Sequence, residues 1–501
     1  MDENNVIKIS NTTNLPTLNI KSQLNMNIDS NTHIKHVLNI ETCLIDLQIE
    51  PMSNKSLFKG VIGVKVMYVD TDNMFNTLSD TISFSETLNS EIISTDSQIC
   101  ISNYQFTTDF DNDEKMLRVN IDGTIECVCN TNKGLSVFNS SNDDLITKKS
   151  VLSTQCCIQQ ISKTTNYDFD FKLDSKISKI LSCDSKIIVE DVKCYDGYVV
   201  LSGQIINGIV CEIESEINYI KLINNSTNFK CEIEANGCDN DCIADLSSYI
   251  NINSTQITTD INENGTHFNF EYSIIVNGYL YKNINLDIVD DVYSLDGSIE
   301  LISGEYKMCK KLPYFKFNES VDTEITLADE LNIDEILGMI NTNSNITQHL
   351  IKDDMVTIEG VIGGNLLYLD ENKEIKHLTT QLPYSINIKQ DLKTDVCGVQ
   401  LSVIPTACKC KIKRGNTLMV DYELCVCGSI YTQTSTSLVE SIKYGKVFDY
   451  GDIAFQIYLA RSGESSWDLC KRLHITQEQL LENNKETPTN YVGGEKIIVY
   501  R

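Results

Sequence analysis

A chain of 501 residues is long enough for three or four domains, each able to bury a core. Its 70 Asp and Glu against 41 Lys and Arg give a net charge of −29. With no clustered Lys/Arg stripe, that balance excludes a nucleic-acid binder and a binder of anionic membrane surfaces.

The first residues, Met1-Asp2-Glu3-Asn4-Asn5, are acidic and polar, without the basic and apolar regions of a leader peptide. No apolar run reaches the roughly 18 residues that a membrane span needs. The expectation is a cytoplasmic chain with no membrane insertion. Nineteen cysteines, an odd number, cannot all pair internally. In a reducing compartment they read as small buried hydrophobes, and cross-linking in a shell that is later oxidised is the alternative.

Only 6 prolines and abundant β-branched residues predict strands through most of the chain. Each of three units opens with an alternating stretch that reads as an edge strand. These are Leu18-Asn19-Ile20 with Leu24 to Ile28, then Tyr167-Asp168-Phe169-Asp170-Phe171, then Tyr314-Phe315-Lys316-Phe317. An apolar pair follows, Val37-Leu38, Ile180-Leu181 or Ile336-Leu337, which reads as a short helix or turn.

Next comes a glycine-centred strand. Gly60 precedes Tyr68 by eight residues, Gly360 precedes Tyr368 by eight, and Gly203 has Cys211 at the tyrosine place. From each leucine to its glycine is 22, 22 and 23 residues. A glycine inside a strand points to a bulge or to close approach by another backbone. Each unit closes on a further strand-like run, at 117–129, 268–281 and 418–431, reached through hairpin turns at 111–114 and 414–417 in the first and third units.

Three landmarks in one order over about a hundred residues are a repeat. The units span 15–132, 165–285 and 312–432, each a small, mainly β, sandwich-like or barrel-like domain. Segments 133–164 and 286–311 connect them, with 139–144 as loop.

After Asp452 the period changes. This piece has six basic and seven acidic residues, so it carries −1 and the rest −28, making it the part best able to approach an acidic partner. Ser465-Ser466-Trp467-Asp468 and Thr476-Gln477-Glu478-Gln479 have the capping-box form. Leu469, Cys470 and Leu473 make one apolar helix face, Leu480 and Leu481 another. Strands at 457–460 and 496–500 flank them, giving β-α-α-β over 452–501.

The run from Arg461 to Thr476 resembles a LysM domain, as does the closing Gly493-Gly494-Glu495-Lys496-Ile497. Departures at Glu464, Ser465, Ser466, His474 and Asn483 point away from ordinary glycan binding. The repeats, with Ile177 to Leu181 and Ile333 to Leu337 as their entry, resemble the SPOCS spore-coat domain of clostridia. Three such units and one LysM form the layout of the SipL-type coat morphogenetic family. The resemblance implies a non-catalytic scaffold acting in the mother-cell cytoplasm at the forespore surface. Its implied partners are the coat-basement ATPase of the SpoIVA family, other coat proteins and, as an alternative, peptidoglycan. A structural shell subunit is a third reading.

In LysM domains the loop opening the first helix and the loop after the second line the ligand groove. This places partner contact at Gly463, Glu464, Ser465, Trp467, Asn484 and Lys485. Trp467, the sole tryptophan, reads either as module core or as a partner anchor. Cys238 and Cys242 read as loop thiols suited to cross-linking.

Asp109 to Asp113 begins like a calcium loop, but Glu114 stands where glycine is required. The C-x-C pairs at Cys127/Cys129, Cys408/Cys410 and Cys425/Cys427 are too closely spaced for the usual zinc site. Six histidines and no nucleophile or phosphate-loop motif leave no catalytic residue, metal or cofactor to expect.

Overall fold

A computed structural model describes residues 5–28, 33–113, 116–138, 142, 144–215, 219–250, 256–262, 265–328, 331–352, 354–389, 396–413, 416–449, 455–484, 488 and 490–500. The chain is mainly β; among the described residues there are two short helices and no sheet closes into a barrel. The expected units are therefore sandwiches.

The first unit contains β1 (Asn5–Asn14), β2 (Leu18–Asn27), β3 (Ile34–Met52), β4 (Lys55–Asp70), β5 (Phe75–Asn89), β6 (Gln98–Asp113) and β7 (Met116–Val137). Sheet β3-β4-β5 faces a sheet in which β7 lies between β2 and β6. The inward residues of both, among them Phe58, Ile62, Val119 and Ile121, share one core. Alternation of buried and exposed residues along β2 shows why: one face of each strand meets the opposite sheet.

The second unit repeats this with β8 (Leu145–Leu173), β9 (Ile177–Tyr195), β10 (Tyr198–Ile213), β11 (Tyr219–Glu234), β12 (Cys242–Ile250), β13 (Gln256–Asn262) and β14 (Gly265–Ser294). Its sheets are β9-β10-β11 and a second centred on β14. Phe171 stacks on Phe268 across that second sheet at 4.6 Å between ring centroids. The third unit comprises β15 (Gly297–Lys311), β16 (Phe315–Thr326), β17 (Ile333–Lys352), β18 (Met355–Asp370), β19 (Ile375–Lys389), β20 (Val396–Lys413) and β21 (Thr417–Val447). Its sheets are β17-β18-β19 and one centred on β21.

The alternating stretches that open the units, in β2, β8 and β16, pair in the structure with the closing runs in β7, β14 and β21. Glu114, Arg414 and Gly415, in the expected hairpin turns, lie outside the described residues.

The recurrent glycine sits where two crowding features coincide. Directly across from Gly60, Gly203 and Gly360 stand Phe84, Phe229 and Tyr384. On the other side the neighbouring strand bulges beside each glycine, after Leu44, at Glu190 and at Thr347. A Cβ on Gly203 would lie 1.9 Å from the Ile188 carbonyl oxygen and 2.9 Å from the Phe229 ring. A Cβ on Gly360 would lie 2.3 Å from the Asn345 oxygen. Any side chain there would force the strands apart, so both anticipated causes act together.

The apolar pair is not a helix or turn. Val37 stands opposite Tyr68 and Asn39 opposite Met67, so Leu38 is the extra residue of a β-bulge. Leu181 and Leu337 are the extra residues at the equivalent places, beside Ile180 opposite Cys211 and Ile336 opposite Tyr368. A bulge puts two consecutive side chains where a regular strand would send one inward and one outward. Two apolar residues in a row therefore suit it as well as a turn.

These bulges join the three units. Leu38, Leu181 and Leu337 meet in one hydrophobic cluster with Met67, Val69, Val210, Ile220, Ile340 and Leu367. Polar contacts run around the same hub in a closed cycle. Ser182 Oγ bonds Glu41, Lys186 Nζ bonds Thr342 Oγ1 at 2.6 Å, and Asn341 Nδ2 donates to the Ile40 oxygen at 3.0 Å. Burial pushes the Glu41 carboxyl up to about 7.

The described parts of the connecting segments are mostly strand. The far end of β7 pairs with β1, the first half of β8 pairs with the end of β14, and β15 pairs with the end of β21. Three ribbons result: the second and third pack on each other through Ile288, Met308 and Leu438, and Phe138, just past the end of the first, joins Val289, Val292 and Val439. Alternating residues such as Leu286 and Ile288 give each ribbon one apolar face to bury. Of the expected loop at 139–144, only Asn142 and Asp144 are described.

Candidate partner-binding site

The C-terminal module consists of β22 (Phe455–Leu459), α1 (Ser466–Leu473), α2 (Gln477–Asn483) and β23 (Lys496–Tyr500). Both capping boxes form: Ser465 with Asp468 at α1, and Thr476 with Gln479 at α2. They satisfy backbone N–H groups that short helices otherwise leave unbonded. Leu469, Cys470, Leu473 and Leu480 fill the small core with Ile497 and Val499. Leu481, read as part of the α2 apolar face, is instead exposed, leaving Leu480 as the buried residue of α2.

The loop before α1 and the segment after α2 come side by side. Ser465 makes an isolated bridge with Asn490, Ser466 Oγ donates to the Pro488 oxygen at 2.9 Å, and Tyr491 N donates to the Glu464 oxygen at 2.8 Å. Gly463 adopts φ +79° in this loop, a conformation that favours glycine. Glu464 faces inward. Arg472 grips it through two bonds, of 2.7 and 2.9 Å, and holds its carboxyl below the usual range. Asn484 ties α2 to β23, accepting from Ile498 N at 2.8 Å and donating to Ile498 O at 3.0 Å. Lys485 lies outside the described residues. Of the candidate residues, Gly463 and Ser465 border this junction, while Glu464 and Asn484 act in holding its shape.

Trp467 faces the body of the protein. Its ring meets Tyr293 edge-on at 5.1 Å, and its Nε1 donates to Asp291 Oδ2 at 2.8 Å. Lys471 Nζ pairs with the other oxygen of Asp291 at 2.6 Å. Tyr293 hydroxyl donates to the Ile475 oxygen at 2.7 Å, and burial raises its pKa. The His474 ring lies 3.0 Å from the Ser294 oxygen and packs on Phe448. The module is thus docked on the end of the β8–β14 ribbon. Asp291, Tyr293, Lys471 and Phe448 were not apparent as functional residues in the sequence, because Asp291 and Tyr293 fall in a stretch that reads as connector.

An exposed apolar row lies elsewhere on the module. Phe455, Ile457 and Leu459 alternate along one face of β22, with Tyr500 beside Phe455. Among the described residues β22 pairs with β23 alone, so its outer edge carries no ladder partner among them.

Cys238 lies in the turn between β11 and β12 and Cys242 at the start of β12, but both side chains are buried in the core of the second unit. Cys242 Sγ lies 3.2 Å from Asp239 Oδ1, and burial pushes its thiol up to about 11. Neither is placed to react with another molecule. Cys127, Cys129, Cys425 and Cys427 are buried, and the Cys408 and Cys410 sulfurs lie 3.7 Å apart. Asp109 to Asp113 belongs to β6. Among the described residues no group of three or more His, Cys, Asp and Glu is arranged to hold a metal ion. Nor is any helix among them long and apolar enough to cross a membrane.

No curated protein and no solved structure matches the chain. Two stretches, 33–91 and 176–262, match the family model described as SipL, SPOCS domain. The first covers β3 to β5 and the second β9 to β13, the sheets that supply the bulged leucine and the crowded glycine. The third unit has the same strand order and both bulges, outside the matched residues. In those two stretches, and over less than a third of its length, the chain is similar to the SPOCS domain of SipL, a sporulation-related domain.

Proposed function

We propose that this protein is a non-catalytic scaffold of the spore envelope, working in the mother cell at the forespore surface. The observation that carries this reading is the double SPOCS match on units that share one hub. The hub and ribbon bundle make three repeats into one body, which suits a part that supplies bulk and repeated contacts. The C-terminal module, read as a LysM domain, holds a partner polypeptide: the coat-basement ATPase of the SpoIVA family. Other coat proteins bind the three-unit body.

The module's surface supports a polypeptide over a sugar. Its open β22 edge and the apolar row Phe455, Ile457 and Leu459 offer the backbone and side-chain contacts that an added strand uses. The junction at Gly463 and Ser465 lies in the same module. With Trp467 engaged on the ribbon, its role in this reading is to orient the module rather than to touch the partner.

A fluorescent fusion of the full chain, followed in sporulating cells with and without the ATPase, tests the reading. A shell of signal around the forespore that disperses when the ATPase is removed is the expected result. Uniform signal in both strains would reject it.

A further inference from the structure

Lys311, the last residue of β15, is only 1% exposed at its side chain, yet it carries an amine into the contact between the second and third units. Its backbone is fixed from both sides. Lys311 N donates to Gln155 Oε1 at 2.7 Å, and Gln155 Nε2 donates to Lys311 O at 3.2 Å. Its Nζ meets Asp245 Oδ1, with the Ala244 oxygen 3.4 Å away. The other carboxylate oxygen, Oδ2, accepts from the Tyr431 hydroxyl.

Register explains the convergence. Tyr431 stands opposite Lys311 in the β15–β21 pair, and Tyr279 stands opposite Asp245 in the β12–β14 pair. Tyr279, Tyr281 and Tyr431 are all buried. An ion pair enclosed in this way pays a large desolvation cost. The same burial lowers the Lys311 pKa and so favours its uncharged, nucleophilic amine beside the carboxyl group.

We propose that Lys311 and Asp245 condense into an intramolecular amide that staples the second unit to the third. The bond Nζ–Cγ forms and Cγ–Oδ1 breaks. Oδ1 leaves as water with two of the three ammonium protons, and Oδ2 remains as the amide oxygen. Tyr431 donates its hydrogen bond to Oδ2 while charge collects there in the tetrahedral intermediate. Both sides of the reaction are neutral and no oxidant or cofactor enters. Fixed contact between the reacting groups replaces the activation that a free acid and amine would need, and the product removes two charges from a dry site.

The test is the intact mass of the full chain, denatured and fully reduced after incubation in the folded state. The expected mass is one water below that of the sequence, with a tryptic cross-linked pair in which Lys311 is uncleaved and joined to the peptide containing Asp245. Finding only the sequence mass overturns the proposal. Lys311→Arg keeps the charge without a comparable nucleophile and is expected at full mass. Loss of water in that variant too would place the dehydration elsewhere and overturn the assignment. Tyr431→Phe is expected to slow accumulation of the lighter species by roughly 100-fold, while an unchanged rate removes Tyr431 from the step.

Discussion

Gly203 and Gly208 lie five residues apart on one strand and separate two kinds of glycine. A Cβ at Gly203 would meet the Ile188 oxygen at 1.9 Å, whereas at Gly208 the nearest atom is Asn224 Oδ1 at 3.7 Å. Gly203→Ala is therefore expected to cost about 1–3 kcal/mol through forced strand separation, and Gly208→Ala to stay within about 0.5 kcal/mol. Urea denaturation of the two variants measures both. Equal midpoints would mean that the recurrent glycine is not held by crowding. Spacing in the sequence was enough to single out Gly60, Gly203 and Gly360, because their physical cause is local. The cysteines were less legible. The Asn236-Gly237-Cys238-Asp239-Asn240-Asp241-Cys242 stretch has loop composition, and only the second unit's core shows that both thiols point inward.

Bulges and ribbons are the elements on which the assembly turns. Leu181 is fully buried among residues of all three units, so Leu181→Ala is expected to destabilise by about 2–5 kcal/mol. The loss should appear in the joint unfolding of the units, not in one alone. Glu41 gives the hub a pH dependence of definite sign. Its folded-state pKa of about 7 lies above the ordinary 4.5. The hub is therefore strongest below about 4.5 and weakens as pH rises to 7, by roughly 1–3 kcal/mol. Glu41→Gln should flatten this window and raise the melting temperature at pH 8. A wild-type hub that strengthens from pH 5 to 7 would contradict the assignment.

Sequence pattern found the repeat, the opening and closing strands and both capping boxes. It misread the Val37-Leu38 type of pair, since periodicity alone does not distinguish a bulge from a turn. Segments 133–164 and 286–311 looked like connectors because a two-stranded ribbon carries only one weakly apolar face.

At the scale of the molecule, three sandwiches share a hub, three ribbons share a bundle, and a small module caps one ribbon. None of this mutual arrangement was legible beforehand. Asp291 and Lys471 are 180 positions apart, and no local pattern links them. Asp291→Ala removes acceptors from both Trp467 and Lys471 and is expected to loosen docking by about 1–3 kcal/mol. As the chain has one tryptophan, its emission reports the event directly: a red shift is expected. An unchanged spectrum would show that the ribbon contact does not hold the module.

In the proposed function the carboxy-terminal module grips a polypeptide on behalf of the whole body. Binding of the full chain to purified coat-basement ATPase and to peptidoglycan sacculi, measured side by side, tests it most directly. Saturable binding to the ATPase, lost on removal of 452–501 and absent for sacculi, is the predicted result; capture by sacculi alone would contradict it.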